Sequence, residues 1–250
     1  MPKNQNPVTR GGGLSVNVVL TIVVVVVAVV VIGGILLFNR GGGSGDSAAP
    51  APAVPAEVLR KPDSHALIDS PDNKVTVVEF LDYQCPACHS YYTALTKQIE
   101  KDYAGRITFV TRNFPLQGHP LARSAAQAAE AAGLQGKYKE MYHALYDNYE
   151  AWALAPDGAN VSSDTAKASA LFEQYAQQIG LDVAKFRQDV NSPQVNAKID
   201  ADVADGNLAG VRGTPSLFIN GRKYQPGDDV QTFRQLADDF LGKLNAELAK

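Results

Sequence analysis

The chain has 250 residues, with 23 lysines and arginines against 26 aspartates and glutamates and a formal charge of -3. That average conceals a segregation: Lys3, Arg10 and Arg40 are the only charges ahead of Asp46, so the rest of the chain is distinctly acidic. Such a surface keeps a domain soluble but does not neutralise phosphates, which argues against nucleic acid as a partner. Only two cysteines occur, so no framework of structural disulfides holds the fold.

Residues 1–13 are polar and Gly-rich, and residues 14–38 read as a transmembrane anchor. Its core, Val18 to Phe38, has no charge and as a helix spans about 31 Å, close to the hydrocarbon thickness of a bilayer. A cleaved signal peptide is the competing reading, but its apolar region is normally only about 7–15 residues long. Lys3 and Arg10 precede the run and Arg40 alone closely follows it. That bias places the N-terminus in the cytoplasm and everything after the run outside, as a single-pass protein of the cell membrane. Residues 39–58, Gly/Ser-rich and then Ala/Pro-rich, form a flexible tether that stiffens into an extended spacer. Residues 59–250 remain for one domain with a full core.

Arg60 to Asn73 is a turn-rich approach, broken by Pro62, Asp63, Pro71 and Asp72. From Val75 a β-branched apolar run reads as a buried strand that ends at Asp82-Tyr83-Gln84 and meets Cys85-Pro86-Ala87-Cys88 at the start of a helix. Arg106 to Phe114 reads as a second strand, parallel to the first because a helix-length crossover joins them. A helical block follows over about residues 119–205: an Ala-rich helix from Leu121, then apolar and tyrosine stripes at three- and four-residue steps. Ser162 and Asp182 are expected caps, and Gly133 and Gly180 expected stops. His143 lies off the tyrosine stripe, where a solvated ring is expected, and Trp152 with the tyrosines is a candidate groove lining. Ser216 to Ile219, Asn220-Gly221 and Lys223-Tyr224 read as a β-hairpin, and a final amphipathic helix carries Phe233, Leu236, Phe240, Leu241 and Leu244. The class is α/β: two parallel strands and a hairpin flanked by helices, interrupted by an all-helical insertion.

Cys85 and Cys88 carry the chemistry. Unpaired N–H groups and the positive end of the helix dipole converge at a helix N-terminus and favour a thiolate. Pro86 suits the first helical turn, where it has no hydrogen bond to lose. A disulfide across two intervening residues closes too short a loop to stabilise a fold, so the pair reads as a reversible two-electron switch. Cys85, nearer the terminus and more exposed, is the expected nucleophile, and Cys88 the thiol that resolves a mixed disulfide. Half of a zinc site and a pair of inert core thiols are the plainer readings. Zinc would need His65, His89, His119, His143 or carboxylates as further ligands, and none stands in ligand spacing with the pair. No metal is expected. By the alternation of a strand, Glu79 shares a face with Val77 and Leu81, and burial is expected there.

The run Glu79 to Cys88, taken with Val211-Arg212-Gly213-Thr214-Pro215-Ser216-Leu217-Phe218-Ile219-Asn220-Gly221, resembles the DsbA family of thioredoxin-fold disulfide oxidoreductases. Phe114-Pro115-Leu116, His119-Pro120-Leu121-Ala122 and Gly136-Lys137-Tyr138 are similar to its membrane-tethered Gram-positive members. The resemblance covers about residues 60 to 250, including the place of the helical insertion. It implies a thioredoxin-like sheet and a cis Pro215 facing the dithiol. Gly213, Thr214 and Pro215 would then form a substrate edge, and Glu79 a buried acid that ferries the proton during exchange. It also implies exported reduced proteins as substrates, a quinone-linked membrane reoxidase of the DsbB or VKOR kind, and no cofactor beyond the Cys85–Cys88 disulfide itself. Two positions depart from the most oxidising relatives: Ala87 stands where they have histidine, and Thr214 where they have valine. A reductase or isomerase using the same dithiol, and a noncatalytic tethered chaperone, are the rival functions.

Overall fold

The computed structural model describes residues 52–72 and 74–250. The apolar anchor and most of the tether lie outside the described residues. Among those described, no helix is long and apolar enough to cross a membrane.

Five strands form one mixed sheet: β1 (His65–Ile68), β2 (Thr76–Leu81), β3 (Thr108–Asn113), β4 (Ser216–Ile219) and β5 (Arg222–Lys223), in the order β1-β3-β2-β4-β5. β2 runs parallel to β3 and antiparallel to β4, while β1 and β5 pair antiparallel at the two edges. Covered on both faces, β2 reads as an almost unbroken apolar run because each face needs its own core. Val77 and Leu81 enter a large core with the dithiol, whereas Val78 and Phe80 enter a smaller one with Val110, Val211 and Phe218.

β1 is a correction to the sequence reading, which treats Arg60 to Asn73 as approach only. Its four residues pair with β3 through an irregularity between Ala66 and Ile68, and the breakers on either side hide so short an edge strand. The smaller core also takes in Leu59, with Val54 and Val58 packed against it. Among the described residues, then, Val54 and α1 (Ala56–Leu59) already pack with the domain.

The helix that begins at the motif has three parts. α2 (Pro86–Tyr91) passes into a π turn, Tyr92–Thr96, and continues as α3 (Lys97–Asp102). The wider turn brings Tyr92, Leu95 and Thr96 into the core together. Between β3 and β4 lie α4 (Ala122–Gly133), α5 (Tyr138–Asp147), α6 (Tyr149–Ala153), α7 (Thr165–Gln178), α8 (Val183–Asp189) and α9 (Pro193–Leu208), and α10 (Phe233–Leu248) closes the chain.

Several details of the block differ from the sequence reading. Asp182 caps α8 and Gly180, at φ +80°, follows α7, but Asp164 rather than Ser162 caps α7. Gly133 is the last residue of α4, not its stop. The left-handed residue is Gly136 at φ +73°, with Lys137 N–H closing back onto the Ala132 carbonyl. Gly133 is small for a different reason, since a Cβ there would lie 2.7 Å from the His65 ring. Trp152 and Tyr138, Tyr142, Tyr146 and Tyr149 line no groove: all are buried in the larger core. His143 is part-solvated, its side chain 28% exposed, but it is also held, with Nδ1 3.0 Å from the Tyr92 hydroxyl and Nε2 3.3 Å from Glu100.

Candidate active site

Cys85 is the N-cap of α2, in extended conformation at φ -68° and ψ 122°, and Pro86 occupies the first helical turn. Its N–H donates to the Asp82 carbonyl at 3.1 Å, closing the turn that carries the chain from β2 into the helix. Both thiols are free and both are buried, Cys85 at 6% exposed and Cys88 at 1%.

Their surroundings separate the two sulfurs. The Cys88 thiol, directed at Cys85, lowers the Cys85 pKa to about 6, with help from the N–H groups of Cys88 and Ala87, while burial opposes. Cys88 goes the other way, well above a normal thiol, because burial, its hydrogen bond to Cys85 and the charge of Cys85 all penalise a second anion. Cys85 is thus the thiolate near neutral pH, and Cys88 the proton holder.

The Thr214–Pro215 peptide is cis. It brings the Thr214 carbonyl to 3.4 Å from Cys85 Sγ, which donates to it when protonated. Ser216 Oγ donates to the Gly213 carbonyl at 2.8 Å and fixes the start of the loop. Gly213, Thr214 and Pro215 therefore stand together beside Cys85.

Glu79 sits on the middle strand, in register with Thr111 on β3 and Leu217 on β4. It is 2% exposed, and its Oε2 has no hydrogen-bond partner. Burial, followed by the negative charge of Cys85, pushes its pKa up to about 8. Near neutral pH it holds a proton, and its charge would bear on Cys88. Among the described residues no group of histidine, cysteine and acid side chains is arranged to hold a metal ion.

The structure adds residues to which the sequence reading gives no role. Asp82, fully buried, accepts from the N–H groups of Gln84 at 2.8 Å and Leu116 at 2.9 Å, and from His119 Nδ1 at 2.6 Å. Burial raises its pKa despite these donors. Gln84 is equally buried, and the Tyr149 hydroxyl donates to its carbonyl at 2.7 Å. The only sequence signal for this group is its polarity immediately ahead of Cys85, where an apolar strand has just ended.

A dithiol at a strand-to-helix turn, faced by a cis-proline loop across a mixed sheet, defines a thioredoxin-like fold of DsbA-like architecture. The thioredoxin family model matches residues 62–239, and the chain belongs to that family. A thioredoxin-like oxidoreductase from Silicibacter pomeroyi is 27% identical, superposes with a TM-score of 0.56, and is matched over 77% of this chain and 99% of its own. BdbD from Bacillus subtilis, 19% identical, shares the fold at a TM-score of 0.62 over 81% of this chain and all of its own. A DsbA of Wolbachia pipientis, alpha-DsbA1, does so at 21% identity and 0.57 over 76% of this chain and 96% of its own. Among curated proteins, a Na(+)/H(+) antiporter NhaA 1 from Mycolicibacterium gilvum is 32% identical over 197 residues, 76% of this chain and 29% of the antiporter. A second, from Salinispora arenicola, is 34% identical over 158 residues, 63% of this chain and 22% of its own. The chain spans less than a third of these relatives, and the exchange in their names belongs to those proteins.

Proposed function

We propose that this protein is a membrane-anchored disulfide donor acting outside the cytoplasm on newly exported, reduced proteins, and that a quinone-linked membrane partner restores its disulfide. The observation that carries the donor reading is the unequal pair of sulfurs. A thiolate held near 6 stabilises the reduced dithiol, and a stable reduced form makes the corresponding disulfide oxidising.

In the forward direction a substrate thiolate attacks Cys85 Sγ of the disulfide, and the Cys85–Cys88 bond breaks. Cys88 leaves with the electron pair and takes a proton from Glu79, which carries one near neutral pH. A second substrate thiolate attacks the substrate sulfur of the mixed disulfide and releases the Cys85 thiolate. Two electrons and the substrate's new bond then balance, and Glu79 recovers its proton from solvent. Beside Cys85, the Gly213–Pro215 backbone is placed to pair with an extended substrate segment. The location rests on the uncharged run of residues 18–38 and the basic residues ahead of it.

Two features favour the same dithiol running as a reductase. Ala87 supplies no imidazole, and a Cys85 pKa near 6 lies closer to the value of about 7 in thioredoxin than to the value of about 3.5 in DsbA. Equilibration with glutathione buffers decides the direction. The expected potential lies above the roughly -270 mV of thioredoxin and below the roughly -120 mV of DsbA. A value at or below that of thioredoxin would reverse the assignment. Cys85→Ser should abolish oxidation of a reduced, unfolded test protein, whereas a chaperone would retain its full effect.

A further inference from the structure

We infer that Gln84 and Tyr149 are positioning residues for Cys85, through which the helical block fixes the seat of the reactive sulfur. The inference rests on Cys85 being the reactive thiol.

A primary amide buried in an apolar core is costly unless both its ends are bonded. The Gln84 amide is fully bonded, and to three separate stretches of the block. Its Nε2 donates to the Ala153 carbonyl at 3.1 Å, at the end of α6, and to the Ser162 carbonyl at 2.7 Å, ahead of α7. Its Oε1 accepts from the Leu121 N–H at 2.6 Å, where α4 begins. The Gln84 main chain is held as well, because the Tyr149 hydroxyl donates to its carbonyl. Tyr149 reaches the other side of the dithiol too, since its ring lies flat on His89, with centroids 4.3 Å apart and planes 6° apart. The block therefore grips the chain one residue before Cys85 and one residue after Cys88.

This grip matters because the donors around Cys85 are short-range. The N–H groups of Ala87 and Cys88 and the Cys88 thiol act on the sulfur only while Cys85 keeps its N-cap conformation. Cys85 is the N-cap, with φ and ψ outside the helical region, so the helix that begins at Pro86 does not by itself fix that conformation. A looser Gln84 lets Cys85 sample conformations in which those donors are lost, and the thiolate is then less favoured.

The test measures the pH dependence of iodoacetamide alkylation, mapped to Cys85 by mass spectrometry, on the reduced full chain and its Gln84→Met and Tyr149→Phe variants. The ionisable groups facing Cys85 are Cys88, Glu79 and Tyr149. Burial keeps the Tyr149 phenol neutral, so its removal deletes a hydrogen bond and no charge. Both variants should raise the midpoint and slow alkylation at pH 6 by about twofold or more, since a midpoint moved up from about 6 by half a unit cuts the thiolate fraction there from about one half to about one quarter. Urea unfolding read in parallel separates positioning from stability. A variant that unfolds more easily but keeps the parental midpoint overturns the inference. If Gln84→Met does not fold, Tyr149→Phe, which lacks a single oxygen, decides alone. Should the label on the parent fall mainly on Cys88, the reading of the nucleophile itself fails, and the inference with it.

Discussion

Three buried groups within one cluster ionise in an order that their surroundings dictate. Cys85 falls from an ordinary 9.0 to about 6, Cys88 rises, and Glu79 rises from 4.5 to about 8. The signs of the linkage follow. Between pH 4.5 and 8 the folded chain holds a proton on Glu79 that the unfolded chain has released, so this carboxyl makes stability fall as pH rises. Between pH 6 and 9 the unfolded chain holds the Cys85 proton that the folded, reduced chain has lost, so this thiol makes stability rise with pH. Below pH 6 the carboxyl acts without the thiol. Glu79→Gln should therefore gain stability over the parent as pH climbs from 4.5 to 6, by up to about 1.4 kcal/mol per pH unit. Urea unfolding of both reduced proteins across that range measures the gap, and a gap independent of pH would mean that Glu79 is already charged in the fold.

Elements were legible where their signals are local. β2 has its β-branched run, the β4–β5 hairpin has Asn220-Gly221, and α8 has Asp182, which accepts from the Lys185 N–H at 3.0 Å. What stayed hidden depends on distant partners. β1 is four residues that become a strand only against β3, and Gln84 is bonded to carbonyls 69 and 78 residues away, which no spacing rule reaches. The contact of the part-exposed His143 with Tyr92 appears only once α5 is laid against the π turn. The hairpin offers the sharpest test at this scale. Gly221 adopts φ +80°, and an added Cβ would stand 2.7 Å from the Val54 carbonyl oxygen, which belongs to the backbone and cannot simply swing away. The left-handed conformation alone costs a non-glycine residue about 1 kcal/mol, and the overlap adds to it. Gly221→Ala should lower the free energy of unfolding by about 2 kcal/mol, read from the urea midpoint, with the Cys85 alkylation midpoint unmoved because the turn lies at the opposite end of β2.

At the scale of the whole domain, the N-terminal strap ties the smaller core together from outside the sheet. Val54 N–H donates to the Gly221 carbonyl at 2.8 Å, and α1 runs from there to Leu59, which is 3% exposed. Beneath it lies Arg112, wholly buried. Its Nε and Nη2 each donate to a carboxylate at 2.6 Å, Asp202 and Asp205, and its Nη1 donates to the Val58 and Leu59 carbonyls at 3.2 and 2.9 Å. A guanidinium in such a place is tolerable only while its donors are met, so the strap completes the solvation of the charge that joins β3 to α9. Removing the strap would strip two hydrogen bonds from a buried cation, each worth about 1.5–3 kcal/mol, and expose the pocket that Leu59 fills at about 2 kcal/mol more. Water entering the gap would return part of this. A chain beginning at residue 60 should accordingly be less stable than one beginning at residue 52 by about 3–5 kcal/mol. In an Arg112→Met background, itself destabilised by the loss of a partner for Asp202 and Asp205, removing the strap should cost less than in the parent, because no guanidinium is then left with unmet donors. Urea unfolding of the four proteins forms a double-mutant cycle, and additive losses would show that the strap acts through packing alone and not through Arg112.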